Sequence, residues 1–219
     1  RDTDRSRGLG DVYKRQLQNG TGRKYIIGKM KHNIMSKIRY TALSIALMLT
    51  LLFSACADSE FSRYRCYLMI NNNILKDITL ASAMNAAAPG IFCRISMEGT
   101  ARFKFESNQG GTPTYGVMTS IDKNSKWMIG VYNGIIVGYG NDQKFHAYDN
   151  QCKNCYESSG LTRYALTMNT DGTAVCKSCH RVYDLNNNGN ITKGDKGDGL
   201  IRYRTNANPV PYGVLSVNN

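Results

Sequence analysis

The chain has 219 residues, 42% hydrophobic and 20% charged, and a formal net charge of +12 that would ordinarily point to nucleic acid. The excess is local: residues 1–55 hold 11 of the 28 Lys and Arg and 3 of the 16 Asp and Glu, leaving +4 over residues 56–219. The remainder no longer asks for a nucleic-acid partner and is long enough for one domain with a sizeable core.

Asp11-Val-Tyr-Lys-Arg-Gln16 back-translates to a sequence like the transposon end used in sequencing libraries. Residues 1–29 are therefore expected to be adapter and upstream sequence read in frame, without native fold information. Met30, or alternatively Met35, is the expected start of an export signal covering residues 30–55. Lys31, Lys37 and Arg39 form its basic end, and Thr41 to Phe53 form an apolar run too short for a stable membrane span. Phe53-Ser-Ala-Cys56 then resembles the bacterial lipobox, which implies an acylated Cys56 as the mature N-terminus, anchored in a lipid bilayer. Residues 56–61 read as a tether, and its acidic Ala57-Asp-Ser-Glu60 resembles surface-export signals of Bacteroidetes lipoproteins. The expected location is the cell envelope, at the outer membrane, on its periplasmic or its surface side.

Residues 62–219 read as a β domain. Arg63 to Ile70 is a strand candidate ending in the Asn71-Asn-Asn73 turn, and Ile78 to Ala88 reads as one short helix stopped by Pro89-Gly90. Ile91 to Met97 and Ala101 to Glu106 read as strands, the second alternating apolar with charged residues and so half wet. Asn108 to Pro113 is a loop. Trp127 to Gly140 and Lys144 to Tyr148 read as strands punctuated by the hairpin signals Asn133-Gly134 and Gly140-Asn141. Ala174-Val175, Arg181 to Leu185, Leu200 to Arg204 and Gly213 to Val217 complete an all-β sandwich or barrel with one helix. No repeat, low-complexity segment or transmembrane helix follows the signal.

The chemistry is concentrated in Cys152-Lys-Asn-Cys155 and Cys176-Lys-Ser-Cys179, two Cys-x-x-Cys pairs separated by residues 156–175. Each pair can sit on a tight turn with both sulfurs aimed at one ion, and two such turns complete a tetrahedron suited to Zn²⁺ or a single iron. The alternative is one or two disulfides in an exported protein, giving a stapled interaction module.

From Trp127 onward the order of features resembles a Rieske domain. Gly138-Tyr-Gly-Asn141 and Ala147-Tyr-Asp-Asn150 precede the first ligand loop, Cys176-Lys-Ser-Cys179-His180-Arg-Val-Tyr183-Asp184 fits the second, and Leu200 to Tyr203 and Tyr212 to Val217 fit the closing strands. The resemblance implies a Rieske-like antiparallel sandwich or barrel with a metal-binding subdomain at about 148–185. It departs from the family at the ligands. A Rieske 2Fe–2S centre takes two His on one iron. Here Cys155 and Cys179 stand where those histidines fall, the first one residue late, and His180 occupies the family's Gly. Carried over by position, the match gives a four-cysteine site. Such a site would hold a structural zinc, the favoured reading because zinc resists redox loss outside the cytoplasm, or a single iron, or an all-cysteine 2Fe–2S cluster. Lys153, Lys177 and Arg181 would partly offset the thiolate charge. His180 reads as a residue beside the site or at the surface, and His146 as a half-buried, satisfied side chain.

Asp184 to Asp195 also fits a calcium-loop spacing, with Asp184, Asn186, Asn188 and Asp195 at ligand positions and Gly189 at the turn. The flanks read as strands rather than helices, so a turn is the preferred reading. Cys66 and Cys93 lie on separate strand candidates and either pair as a disulfide or remain buried thiols. No Ser/His/Asp array, open histidine metal site or phosphate loop marks an enzyme. The sequence thus points to a membrane-anchored binding or structural lipoprotein whose protein partner it does not name, or to an electron carrier using the same four cysteines.

Overall fold

The computed structural model describes residues 61–132, 134–206 and 209–219. The expected adapter, the export signal, Cys56 and the tether up to residue 60 lie outside the described residues, as does Asn133 of the expected Asn133-Gly134 turn. The described chain is mostly β, with twelve strands in three antiparallel sheets.

The five-stranded sheet positions everything else. In chain order its strands are β2 (Phe92–Glu98), β3 (Arg102–Ser107), β4 (Thr114–Val117), β5 (Gly134–Tyr139) and β6 (Phe145–Asp149), in the spatial order β4-β3-β2-β5-β6. The alternation expected for 101–106 is observed: Phe103 and Phe105 are fully buried, while Arg102 is exposed. Burying each ring contributes about 1.5–3 kcal/mol. Across the pair, Arg94 opposes Glu106 and binds it at 2.9 Å, with Lys104 3.2 Å from the same carboxylate.

Central β5 shows why its sequence lacks alternation. Every residue of Gly134–Tyr139 is buried. Ile135 and Val137 enter one hydrophobic core, and Ile136 enters a second on the opposite face. A period of two sends successive side chains to opposite faces, so a sheet covered on both sides reads as a continuous apolar run. Gly138 is required here because a Cβ would collide with the Ile91 carbonyl.

The first core is closed by β1 (Tyr67–Asn71), β11 (Arg204–Thr205) and β12 (Val214–Asn218), ordered β1-β12-β11. Leu68 and Ile70 face Leu215 and Val217 within it. The second core is closed by β7 (Leu166–Met168), β8 (Thr173–Cys176), β9 (Val182–Asp184) and β10 (Asn190–Lys193), ordered β10-β9-β8-β7. All residues of both cores lie between Cys66 and Val217.

Among the described residues, four short helices replace the single one expected: α1 (Asn72–Leu75), α2 (Ile78–Ala83), α3 (Ser120–Asn124) and α4 (Lys153–Ser159). The Asn71-Asn-Asn73 turn is in fact the start of α1, with Asn71 as its cap. Helix α2 is capped by Asp77, whose side chain accepts from the Leu80 N–H, and it stops at Ala83 rather than Ala88. The Asn85 side chain accepts from the Ala87 N–H at 3.0 Å, a local bond that competes with continued helix. The strand expected from Trp127 begins only at Gly134, although Tyr67 and Met128 form an isolated bridge. Strands β4 and β7 lie in stretches the sequence left unassigned, and β10 lies within the Asp184–Asp195 stretch expected to be a turn. Among the described residues no helix is long and apolar enough to cross a membrane.

Candidate metal centre

The first ligand loop leaves β6 through Asp149, whose buried carboxylate accepts from the Val131 N–H (2.6 Å), the Gln151 N–H (2.7 Å) and the Tyr203 hydroxyl (2.7 Å). These bonds fix the backbone just before Cys152. Cys152 sits at the N-cap of α4 but makes no side-chain cap bond, which leaves its sulfur directed elsewhere. Cys155 follows in the first turn of α4, and its carbonyl accepts from the hydroxyls of Ser158 (3.1 Å) and Ser159 (2.7 Å). Gly160, with φ of +70°, ends the helix.

The second loop is the β8–β9 connection. Strand β8 delivers Cys176 at its end, and the chain reverses through Lys177-Ser-Cys179. The His180 N–H bonds the Cys176 carbonyl at 2.9 Å, and the Cys176 N–H bonds the Arg181 carbonyl at 3.1 Å. His180 takes φ of +57°, a left-handed conformation that suits glycine better.

The two loops bring all four sulfurs within 4.8 Å of one another. Cys152 and Cys179 are 3.7 Å apart, as are Cys155 and Cys176, so both of these contacts cross between loops. All six described cysteines are free thiols. Cys152 and Cys176 are fully buried, Cys155 is 8% exposed and Cys179 is half-buried. This is the only such ligand cluster among the described residues.

Three neighbours shape its electrostatics. The buried Tyr183 hydroxyl lies 3.2 Å from the Cys152 sulfur and accepts from Asn154 Nδ2 at 3.1 Å, so its proton is free to point at that sulfur. Asn154 is held in turn by Asp198, through the Asp198 carbonyl at 2.7 Å and the Asp198 N–H at 3.0 Å. Burial pushes the Cys152 thiol up to about 11 and Cys155 higher still. Burial acts the same way on Cys179, but the Arg181 N–H and guanidinium and the neighbouring thiols outweigh it and bring Cys179 down to about 7. Of the cations expected to offset the thiolates, Arg181 does so directly while clamping the carbonyls of Asp195 (3.0 Å) and Lys196 (3.1 Å). Lys153 instead pairs with Asp198 at 3.0 Å.

The other candidates separate from this cluster. Cys66 and Cys93 do not pair: both are free thiols in the first core, where burial pushes Cys66 up to about 12 and Cys93 higher. The calcium-loop stretch is a β-hairpin rather than a single turn: it holds the connection from β9 to β10 and β10 itself, so Asp195 falls beyond the strand. Its Asp184 carboxylate accepts from the Asn186 N–H at 2.9 Å, and Gly189 (φ +71°) donates to the Asp184 carbonyl at 2.9 Å. His146 is buried, 3.0 Å from the Asp142 carboxylate and stacked on Tyr148. The sequence did not single out Asn154 or the hydroxyl of Tyr183. The one available signal was the aromatic residue following the second Cys-x-x-Cys at strand spacing. Compared with known proteins, the chain matches no family model, no curated protein and no solved structure.

Proposed function

We propose that this is a lipid-anchored envelope protein whose Rieske-like β domain carries one structural zinc ion on Cys152, Cys155, Cys176 and Cys179. The observation that carries this reading is the mutual distance of the four sulfurs. With Zn–S bonds of about 2.3 Å, a tetrahedron has edges of about 3.8 Å. The two 3.7 Å contacts and the 4.8 Å ceiling on the rest fit one ion at the centre. Two irons with bridging sulfides would hold the thiolate pairs farther apart, so the spacing supports a single ion over a 2Fe–2S cluster. Four thiolates fill every position around zinc and leave none open for substrate, which makes the role structural. The Rieske-like reading is supported by the order of elements: strand β6, ligand loop, hairpin β7–β8, second ligand loop, and β12 returning beside β1.

A second reading is a single iron at the same four sulfurs, acting as a one-electron carrier. It is favoured by the Tyr183 hydroxyl and the Arg181 groups at the sulfurs, since hydrogen bonds to ligand sulfur tune a potential. Elemental analysis with a visible spectrum on anaerobically purified protein separates the two. One zinc and no colour supports the structural reading, whereas iron with strong visible absorption replaces it with electron transfer. Cys176→Ser is expected to lose the metal and most of the domain's thermal stability; full metal content in that variant would refute the site. Acylation of Cys56 is tested by the mass of the mature N-terminal peptide and by loss of membrane retention in Cys56→Ala.

A further inference from the structure

Two shallow clefts adjoin where the described chain begins. One, of about 460 Å³, is lined by Phe61, Arg63, Tyr64, Glu157 and Arg202 among others. The second, of about 380 Å³, is lined by Phe61, Lys144, Phe145, Arg202 and Arg204 among others. Phe61 and Arg202 belong to both. The Phe61 ring takes the guanidinium of Arg202 at 5.6 Å and that of Arg204 at 5.3 Å, so one aromatic face holds two cations side by side. Arg63 and Lys144, both exposed, extend the positive face.

Among the described residues, the acidic groups nearby are engaged. Glu157 accepts from the Tyr64 hydroxyl at 3.3 Å and lies 3.9 Å from Lys153. Asp142 faces His146 at 3.0 Å and the Lys144 N–H at 3.1 Å. The patch therefore presents a concentrated positive field beside a partly buried aromatic ring, a combination that suits the phosphate level of a membrane.

We propose that this face, formed by Phe61, Arg63, Lys144, Arg202 and Arg204, docks on anionic headgroups of the bilayer that anchors the chain. The proposal rests on the lipoprotein reading above. Phe61 is five steps along the chain from Cys56, a span of at most about 18 Å. That is roughly two Debye lengths at physiological salt, so the root of the tether is the part of the domain kept within reach of the surface potential. Docking there would set the domain's orientation on the membrane, which the anchor by itself does not.

The test is vesicle binding by residues 57–219, a piece that contains all of both cores and all three sheets. Vesicles of phosphatidylcholine with a quarter phosphatidylglycerol are compared with phosphatidylcholine alone. Binding is expected only to the anionic vesicles, and to disappear at high salt. Each exposed cation is worth about fivefold, so Arg63→Gln, Lys144→Gln and Arg204→Gln together should weaken binding roughly 100-fold. Lys123→Gln, Lys126→Gln and Lys193→Gln together remove the same charge elsewhere and should leave it nearly unchanged. No preference for anionic lipid, or equal losses in the two triple variants, overturns the proposal. Tighter binding to polyglutamate than to vesicles overturns it in favour of an acidic protein partner. No acyl chain enters this assay, so its failure is separate from failure of the anchor, which the mass of the mature N-terminus reports.

Discussion

Tyr183→Phe is the most direct probe of the metal centre, because it removes one hydroxyl and leaves the buried ring in place. That hydroxyl lies 3.2 Å from the Cys152 sulfur and is held by Asn154, while Asn154 keeps its own bonds to Asp198. The variant therefore takes one donor from the thiolate without disconnecting the loop. A hydrogen bond to a charged group is worth about 1.5–3 kcal/mol, which corresponds to roughly 10–100-fold in metal affinity. The assay is competition for zinc against a chromophoric chelator at fixed pH. Tyr148→Phe supplies the control: its ring packs in the same core, but its hydroxyl donates to the Leu185 carbonyl at 2.9 Å and not to sulfur. Tyr148→Phe should lower thermal stability with affinity at least tenfold closer to wild type than that of Tyr183→Phe. Equal affinities in the two variants would refute the assignment of Tyr183 as a donor to the metal site.

Metal affinity should rise steeply with pH. Burial keeps Cys152 at about 11 and Cys155 higher, so both carry protons at neutral pH and must release them to bind metal. Those two protons alone give about 100-fold tighter binding per pH unit, measured by chelator competition at several pH values below 8, and pH-independent affinity would contradict the buried thiols. His180→Gly should stabilise the protein by about 0.5–1 kcal/mol, because glycine adopts the +57° φ of the second ligand turn without strain. A lower melting temperature in that variant would show that the imidazole makes a contribution the turn does not explain. Asp149→Asn should cost about 2–3 kcal/mol in urea denaturation, since it sets an amide NH₂ against donors that the carboxylate now accepts. A loss below about 1 kcal/mol would mean that the loop before Cys152 is held by other contacts.

Local chemistry was legible in the sequence wherever neighbours in the chain decide the outcome. The alternation of 101–106, the Gly140-Asn141 turn and the second Cys-x-x-Cys turn all depend on residues within a few positions and stand where they were expected, whereas the first Cys-x-x-Cys pair opens helix α4 instead of sitting on a tight turn. The 134–139 run was readable as strand but not as the shared wall of two cores, because a continuous apolar stretch does not say what covers each face. Helix α2 ended early because the Asn85 side chain offered the backbone a competing bond, a choice that propensity alone does not rank.

The residue types at the metal centre and their pairing into two loops were set by sequence, since Cys-x-x-Cys closes on itself through one turn. Which sulfurs meet was decided only by the tertiary structure. The fold sets the N-cap of α4 against the β8–β9 turn, so Cys152 meets Cys179 and Cys155 meets Cys176 across loops. The same packing brings Tyr183 to Cys152, 31 residues away. It also leaves Cys66 and Cys93 as separate buried thiols. These contacts join residues far apart in the chain, and their geometry depends on how three sheets stack. Spacing along the sequence carries no measure of that stacking.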